Sequence, residues 1–130
     1  MVGPMRRASI PAVLLAFSWA ASADQVFIDA PAQPGQVVDA YAVTAVLYTD
    51  RPCSLPIPSA SQMKYAEVST GGMKEPRCWS SALGDTVDTV SPSGNRKAFP
   101  KSAFVPARTA PGWQFEVLNP EADPLGTPHF

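Results

Sequence analysis

With 130 residues, the chain has room for one small domain. Ten basic against eleven acidic side chains give a formal net charge of −1, and the basic residues are scattered rather than gathered in a stripe. Such a distribution supports neither a nucleic-acid surface nor a polybasic membrane-surface role, because both need clustered cations to meet phosphates.

The first segment reads as an export signal. Arg6 and Arg7 form a basic start, residues 10–20 (IPAVLLAFSWA) an apolar run, and Ala21-Ser22-Ala23 the small-x-small pattern that a signal peptidase cuts, before Asp24. The run is about half of the ~20 residues that span a bilayer, so no stable membrane span is expected once residues 1–23 are removed. A lipoprotein would carry a cysteine just after the run, whereas the first cysteine is Cys53. Twin arginines can mark the route for folded proteins, but Ala8-Ser9-Ile10 lacks the fuller apolar pattern. An uncleaved leader kept as an anchor is the remaining alternative. Cleavage leaves about 107 residues with a charge of about −3, since two basic residues and no acids depart with the leader. The expected compartment is periplasmic or extracellular.

Residues 24–36 (DQVFIDAPAQPGQ) read as a flexible lead-in interrupted by Pro31, Pro34 and Gly35, although Val26 to Ile28 can pair as a short strand. Residues 37–48 are the most apolar part of the mature chain. Periodicity alone does not settle their type. A strand over residues 42–49 is favoured, because β-branched and aromatic residues concentrate there and Asp50-Arg51-Pro52 ends it. Pro56 and Pro58 predict an extended or turning connection, with a turn of helix near Ser59 as an option.

Residues 63–70 alternate, with Lys64, Ala66 and Val68 on one face and Met63, Tyr65, Glu67 and Ser69 on the other. Gly71-Gly72 supplies a hairpin turn, followed by a loop through Pro76 and a strand over residues 77–81. Further strands are expected over residues 86–90 and 95–99, separated by Ser91-Pro92-Ser93-Gly94, with a short closing turn that returns Phe104 to the core. The expected core is Val43, Leu47, Cys53, Tyr65, Cys78, Val87, Phe99 and Phe104, joined by Val68 and Leu83. The resulting fold class is mainly β: a small antiparallel meander of four to five strands over residues 37–105, with one disulfide. A proline-rich tail over residues 106–130 is expected to be mostly irregular.

Two cysteines in a chain bound for an oxidising compartment are expected to join. Cys53 and Cys78 lack the C-x-x-C spacing of a redox pair and the company of further metal ligands. A crosslink between them closes a loop of roughly 25 residues and contributes about 3 kcal/mol in the chain-entropy model. If Cys78 faces inward, its neighbour Trp79 faces outward unless another layer covers it.

The only histidine is His129, near the C-terminus, so no Ser-His-Asp or Cys-His set and no histidine-based metal site is expected. Asp85 and Asp88 fall on opposite faces of a strand, and Glu67, Glu75 and Glu116 lie in separate segments. Paired-carboxylate hydrolysis is therefore a weak alternative. No glycine-rich phosphate loop, no N-x-[ST] sequon and no internal repeat is present. No cofactor and no metal are expected.

The residues marked for partner binding are aromatic: Trp79, Trp113 and Phe115. Aromatic anchors carry much of binding energy when exposed. Residues 113–118 alternate like a short strand, which either adds to a partner's sheet edge or folds back on its own domain.

Residues 47–106 carry Pro52-Cys53, the alternating residues 64–68, Cys78-Trp79, the valine-rich residues 86–90, Gly94 and Phe104. In this pattern the chain resembles small uncharacterised secreted two-cysteine proteins of tailed phages, prophages and proteobacteria, with Arg77 standing where glycine is usual in that group. The resemblance implies a phage- or prophage-linked origin and carries no activity over to this chain. Together these readings predict an exported, non-enzymatic accessory binding module acting on an envelope or host protein partner. A virion-associated structural part is the alternative.

Overall fold

The computed structural model describes residues 23–82 and 84–119. The leader up to residue 22, Leu83 and the tail from residue 120, with His129, lie outside the described residues. The strands are β1 (Gln25–Ile28), β2 (Val37–Asp39), β3 (Ala45–Pro52), β4 (Lys64–Thr70), β5 (Met73–Ser81), β6 (Thr86–Val90), β7 (Arg96–Pro100), β8 (Val105–Ala110) and β9 (Gln114–Val117). Single 3₁₀ turns occupy Ala40–Ala42, Ala60–Gln62 and Lys101–Ala103. All strands join one sheet in the order β2-β9-β8-β1-β3-β4-β5-β6-β7, and every pairing is antiparallel.

The two halves of this sheet bury opposite faces. On one face Val26, Ile28, Val46, Tyr48, Phe115 and Val117 pack together. On the other, Phe27, Leu47, Val68, Trp79, Val87 and Phe99 form a second core, closed by Phe104. Strands β1 and β3 feed both through alternate residues. That is why their sequences, Val-Phe-Ile and Ala-Val-Leu-Tyr, are apolar without interruption: a strand covered on both sides loses the alternation of a half-covered one. The same property explains why periodicity left residues 37–48 undecided.

A third, smaller cluster forms where the connection over residues 53–63 lies against β5. Leu55, Ile57, Ala60 and Met63 pack around Cys53, Cys78 and Val90. The disulfide Cys53–Cys78 is formed, with Cα atoms 5.5 Å apart. It ties this connection to the sheet. Trp79 and Cys78 do point to opposite faces, and both faces are covered. Trp79 enters the second core, and Cys78 faces the outer side, which the connection covers.

Several expectations are corrected. Among the described residues the sheet has nine strands rather than four to five, and it extends beyond residues 37–105 at both ends. The lead-in supplies β1, which sits between β8 and β3 with Val26, Phe27 and Ile28 at most 1% exposed. The first part of the tail supplies β8 and β9, and residues 114–117 fold back to pair with β8 and β2. The turn at Gly71-Gly72 has two residues, because Thr70 pairs with Met73 and β5 runs straight through Pro76. The ladder from β5 to β6 covers only Cys78 to Ser81, so the missing N–H of Pro76 faces no partner strand. Of the expected core, Tyr65 is only partly buried, and Leu83 lies outside the described residues. Arg77 is buried and charge-paired: it contacts Glu75 at 2.8 Å and donates to Thr89 and to the Asn95 carbonyl, fastening β5 to the β6–β7 hairpin. Among the described residues, no helix is long and apolar enough to cross a membrane.

Candidate functional site

The β8–β9 hairpin turns through Pro111, Gly112 and Trp113, because Ala110 and Gln114 form its last pair. Gly112 and Trp113 both have positive φ, 84° and 59°. Glycine adopts that conformation without penalty, whereas a bulky side chain there is an outlier that costs about 1–2 kcal/mol. Trp113 recovers little of this cost by packing, since 75% of it remains exposed.

Its carbonyl accepts from Ala40 N at 2.8 Å, which ties the hairpin to the 3₁₀ turn Ala40–Ala42. Asp39 caps that turn by accepting from Tyr41 N at 3.0 Å. Ala40 is tucked inward while Tyr41 projects outward, 82% exposed. The two most exposed aromatic side chains among the described residues are therefore held beside each other by one backbone bond.

Between them and the sheet lies a cleft of about 280 Å³. Tyr41 and Trp113 stand at it, Tyr48 and Phe115 line it from the first core, and Glu67 and Lys74 bring opposite charges from β4 and β5. Glu67 Oε2 accepts from the Tyr65 hydroxyl at 3.0 Å. Lys74 Nζ donates to the Val43 carbonyl, just beyond the 3₁₀ turn. An ammonium has three donors, so two remain for other partners. Burial lowers the Lys74 ammonium from its ordinary range, with the Glu67 and Asp29 charges opposing that shift.

A cluster of two tilted tyrosine rings and an arginine adjoins the cleft. The rings of Tyr48 and Tyr65 are 5.5 Å apart, and the Arg51 guanidinium sits 4.2 Å from the first centroid and 5.3 Å from the second. Arg51 also pairs with Asp24 at 2.8 Å. Burial, followed by the Glu67 charge, raises the Tyr48 hydroxyl. Burial and the hydrogen bond to Glu67 push Tyr65 up to about 12. Both phenols consequently stay protonated at neutral pH. The cleft can offer aromatic faces, one carboxylate acceptor, ammonium donors and the Gln114 amide.

Of the three aromatic residues marked in the sequence, the fold brings two together here. Trp113 stands at the cleft and Phe115 lines it, although Phe115 is only 6% exposed. Trp79 lies elsewhere, 4% exposed, with its indole N–H donating to the Tyr48 carbonyl at 3.1 Å across a break in the β3–β4 register. It is a packing residue. Tyr41, Glu67 and Lys74 were missed as members of one site. The available signal was Pro-Gly-Trp, a tryptophan placed where a turn prefers glycine or asparagine.

Among the acids weighed for hydrolysis, Glu67 does not converge with Asp88 or Asp85. Glu67 pairs with Pro76 and Asp88 with Ser80, four residues apart along β5 and on its two opposite neighbours. Strand geometry separates them by about 16 Å, beyond the roughly 5–9.5 Å of paired-carboxylate chemistry. Asp85 precedes β6 and is farther still along the strand. Among the described residues, no group of three or more His, Cys, Asp or Glu is placed to hold a metal ion. No protein-family model matches the chain, and neither does any curated protein sequence or solved structure.

Proposed function

We propose that this protein is an exported, non-enzymatic binding module of the cell envelope or of the phage–host boundary, and that the cleft between Tyr41 and Trp113 holds its partner. The observation that carries the reading is Trp113 itself: a large, exposed aromatic in left-handed backbone, at a position where glycine costs less. Backbone strain that packing does not offset is characteristic of residues kept for a contact with something else. The disulfide is compatible with an oxidising, exported environment.

The test is retention of the disulfide-bonded chain on immobilised envelope extract, compared with Trp113→Gly. Retention by the native chain and loss by the variant, with thermal unfolding no lower, is the expected result. Equal retention of both overturns the reading. Mass spectrometry of purified phage particles against a periplasmic fraction separates an accessory factor from a virion part.

A further inference from the structure

The chemistry of the cleft narrows what it holds. From the geometry we infer that it binds an uncharged, polyhydroxylated sugar ring, a pyranose unit of an envelope or surface glycan, with Trp113 and Tyr41 against the ring's C–H faces and Glu67, Lys74 and Gln114 on its hydroxyls. This rests on the reading of the cleft as the binding site.

Three observations carry it. First, the polar set is balanced: one carboxylate, one ammonium and one amide line the same small space. A hydroxyl both donates and accepts, so a single polyol satisfies all three, whereas an anion meets Glu67 and a simple cation meets Lys74. Second, the aromatic faces are open. Recognition of a quaternary ammonium surrounds the cation with rings. Here Tyr41 and Trp113 keep 82% and 75% of their surface exposed, which presents flat platforms rather than an enclosure. Third, the volume of about 280 Å³ lies just below the roughly 300–1,000 Å³ of drug-sized sites, room for one or two rings and not for a folded segment. An extended peptide would need a strand edge for its backbone. The edge nearest the cleft is β2, only three residues long, whose Asp39 side chain is already engaged in capping.

The supports described above fit this role. Lys74 is aimed by its bond to Val43, and Glu67 by its bond from Tyr65, so each polar group meets the ligand with one position already fixed. Pre-ordering of this kind reduces the entropy lost on binding.

The experiment titrates the disulfide-bonded chain with three soluble probes while following tryptophan emission and heat of binding: an N-acetylglucosamine tetramer for the cell-wall source, a neutral glucose tetramer for surface polysaccharides, and phosphocholine. Saturable binding of one or both sugars is expected, weakened about tenfold or more by Trp113→Gly and about three- to tenfold by Glu67→Gln or Lys74→Met. The sugar that binds more tightly identifies the source. Binding of phosphocholine and neither sugar overturns the inference, as does sugar binding that Trp113→Gly leaves unchanged. If neither sugar binds while Trp113→Gly still abolishes retention on envelope extract, the ligand class is wrong and the cleft remains the binding site. If retention is also unaffected, both fail together.

Discussion

Two hairpins of this molecule turn through two successive left-handed residues, and they fill those positions differently. Between β4 and β5 the positions are Gly71 and Gly72, with φ of 59° and 84°. Between β8 and β9 they are Gly112 and Trp113, with φ of 84° and 59°. The first turn uses residues that adopt the conformation freely, and its arms carry the disulfide through Cys78. The second accepts a strained tryptophan, and no covalent link holds it. One hairpin is composed for persistence. The other gives up some stability to present an aromatic face, which is where a binding role concentrates in a small domain.

The largest expected effect breaks the covalent side of this comparison. Cys53→Ala with Cys78→Ala, or reduction, costs about 3 kcal/mol for a loop of this length. Chemical denaturation measures the loss. Hydrogen exchange should rise first in β5 and the connection over residues 53–63, while β8 and β9 change least.

Next comes the glycine turn. A Cβ at Gly72 meets nothing within 4 Å, so the cost of Gly72→Ala is conformational. It should destabilise by about 1–2 kcal/mol in urea unfolding. The reverse change sharpens the contrast. Trp113→Gly should leave stability unchanged or raise it by up to about 1 kcal/mol, strain relief being partly offset by the greater freedom of glycine in the unfolded chain. A clear loss in that variant would mean that the indole packs rather than presents.

The smallest effect is alkaline. Tyr65 is held at about 12, above its unfolded value of 10.0, so the stability it contributes is complete below pH 10 and declines as pH rises from 10 towards 12. Tyr48, also raised, acts in the same direction. Lys74, lowered by burial, acts oppositely: the unfolded chain binds the extra proton, so its contribution grows as pH approaches 10.5 from below. Melting temperatures measured across this range should fall above pH 10 in the native chain and fall less in Tyr65→Phe.

Much of the fold from β3 to β7 was legible because its turns carry unambiguous punctuation. Gly71-Gly72, Gly84-Asp85, Ser91-Pro92-Ser93-Gly94 and Pro100 each bound a strand, and the expected limits of residues 86–90 match β6. The strands that were missed or left open are those beside proline. Pro31 and Pro34 mark the loop after β1 as irregular, which left Val26, Phe27 and Ile28 as no more than an optional strand. Pro106 sits inside β8, where an interior position normally excludes it. Its carbonyl accepts from Leu118 N just beyond the last β8–β9 pair, so the absent donor removes only a terminal bond. Pairings such as Val26 with Ala107 join residues far apart in the chain, and no local pattern announces them. Of the site, Trp113 and Phe115 were visible as aromatics. The union of Tyr41, Glu67 and Lys74 was not, because it depends on β2, β4, β5 and β9 meeting in space.

The placement of β1 has a consequence for the order of assembly. Asp24 N reaches Thr109 Oγ1 across 85 residues of chain, and the short strand that follows wedges between β3 and β8. The segment synthesised early is thus among the last to find its place, since its second neighbour must first emerge. Closing such a distant contact is slow. A polypeptide built this way stays open through most of its synthesis, and locks only when nearly all of it has emerged.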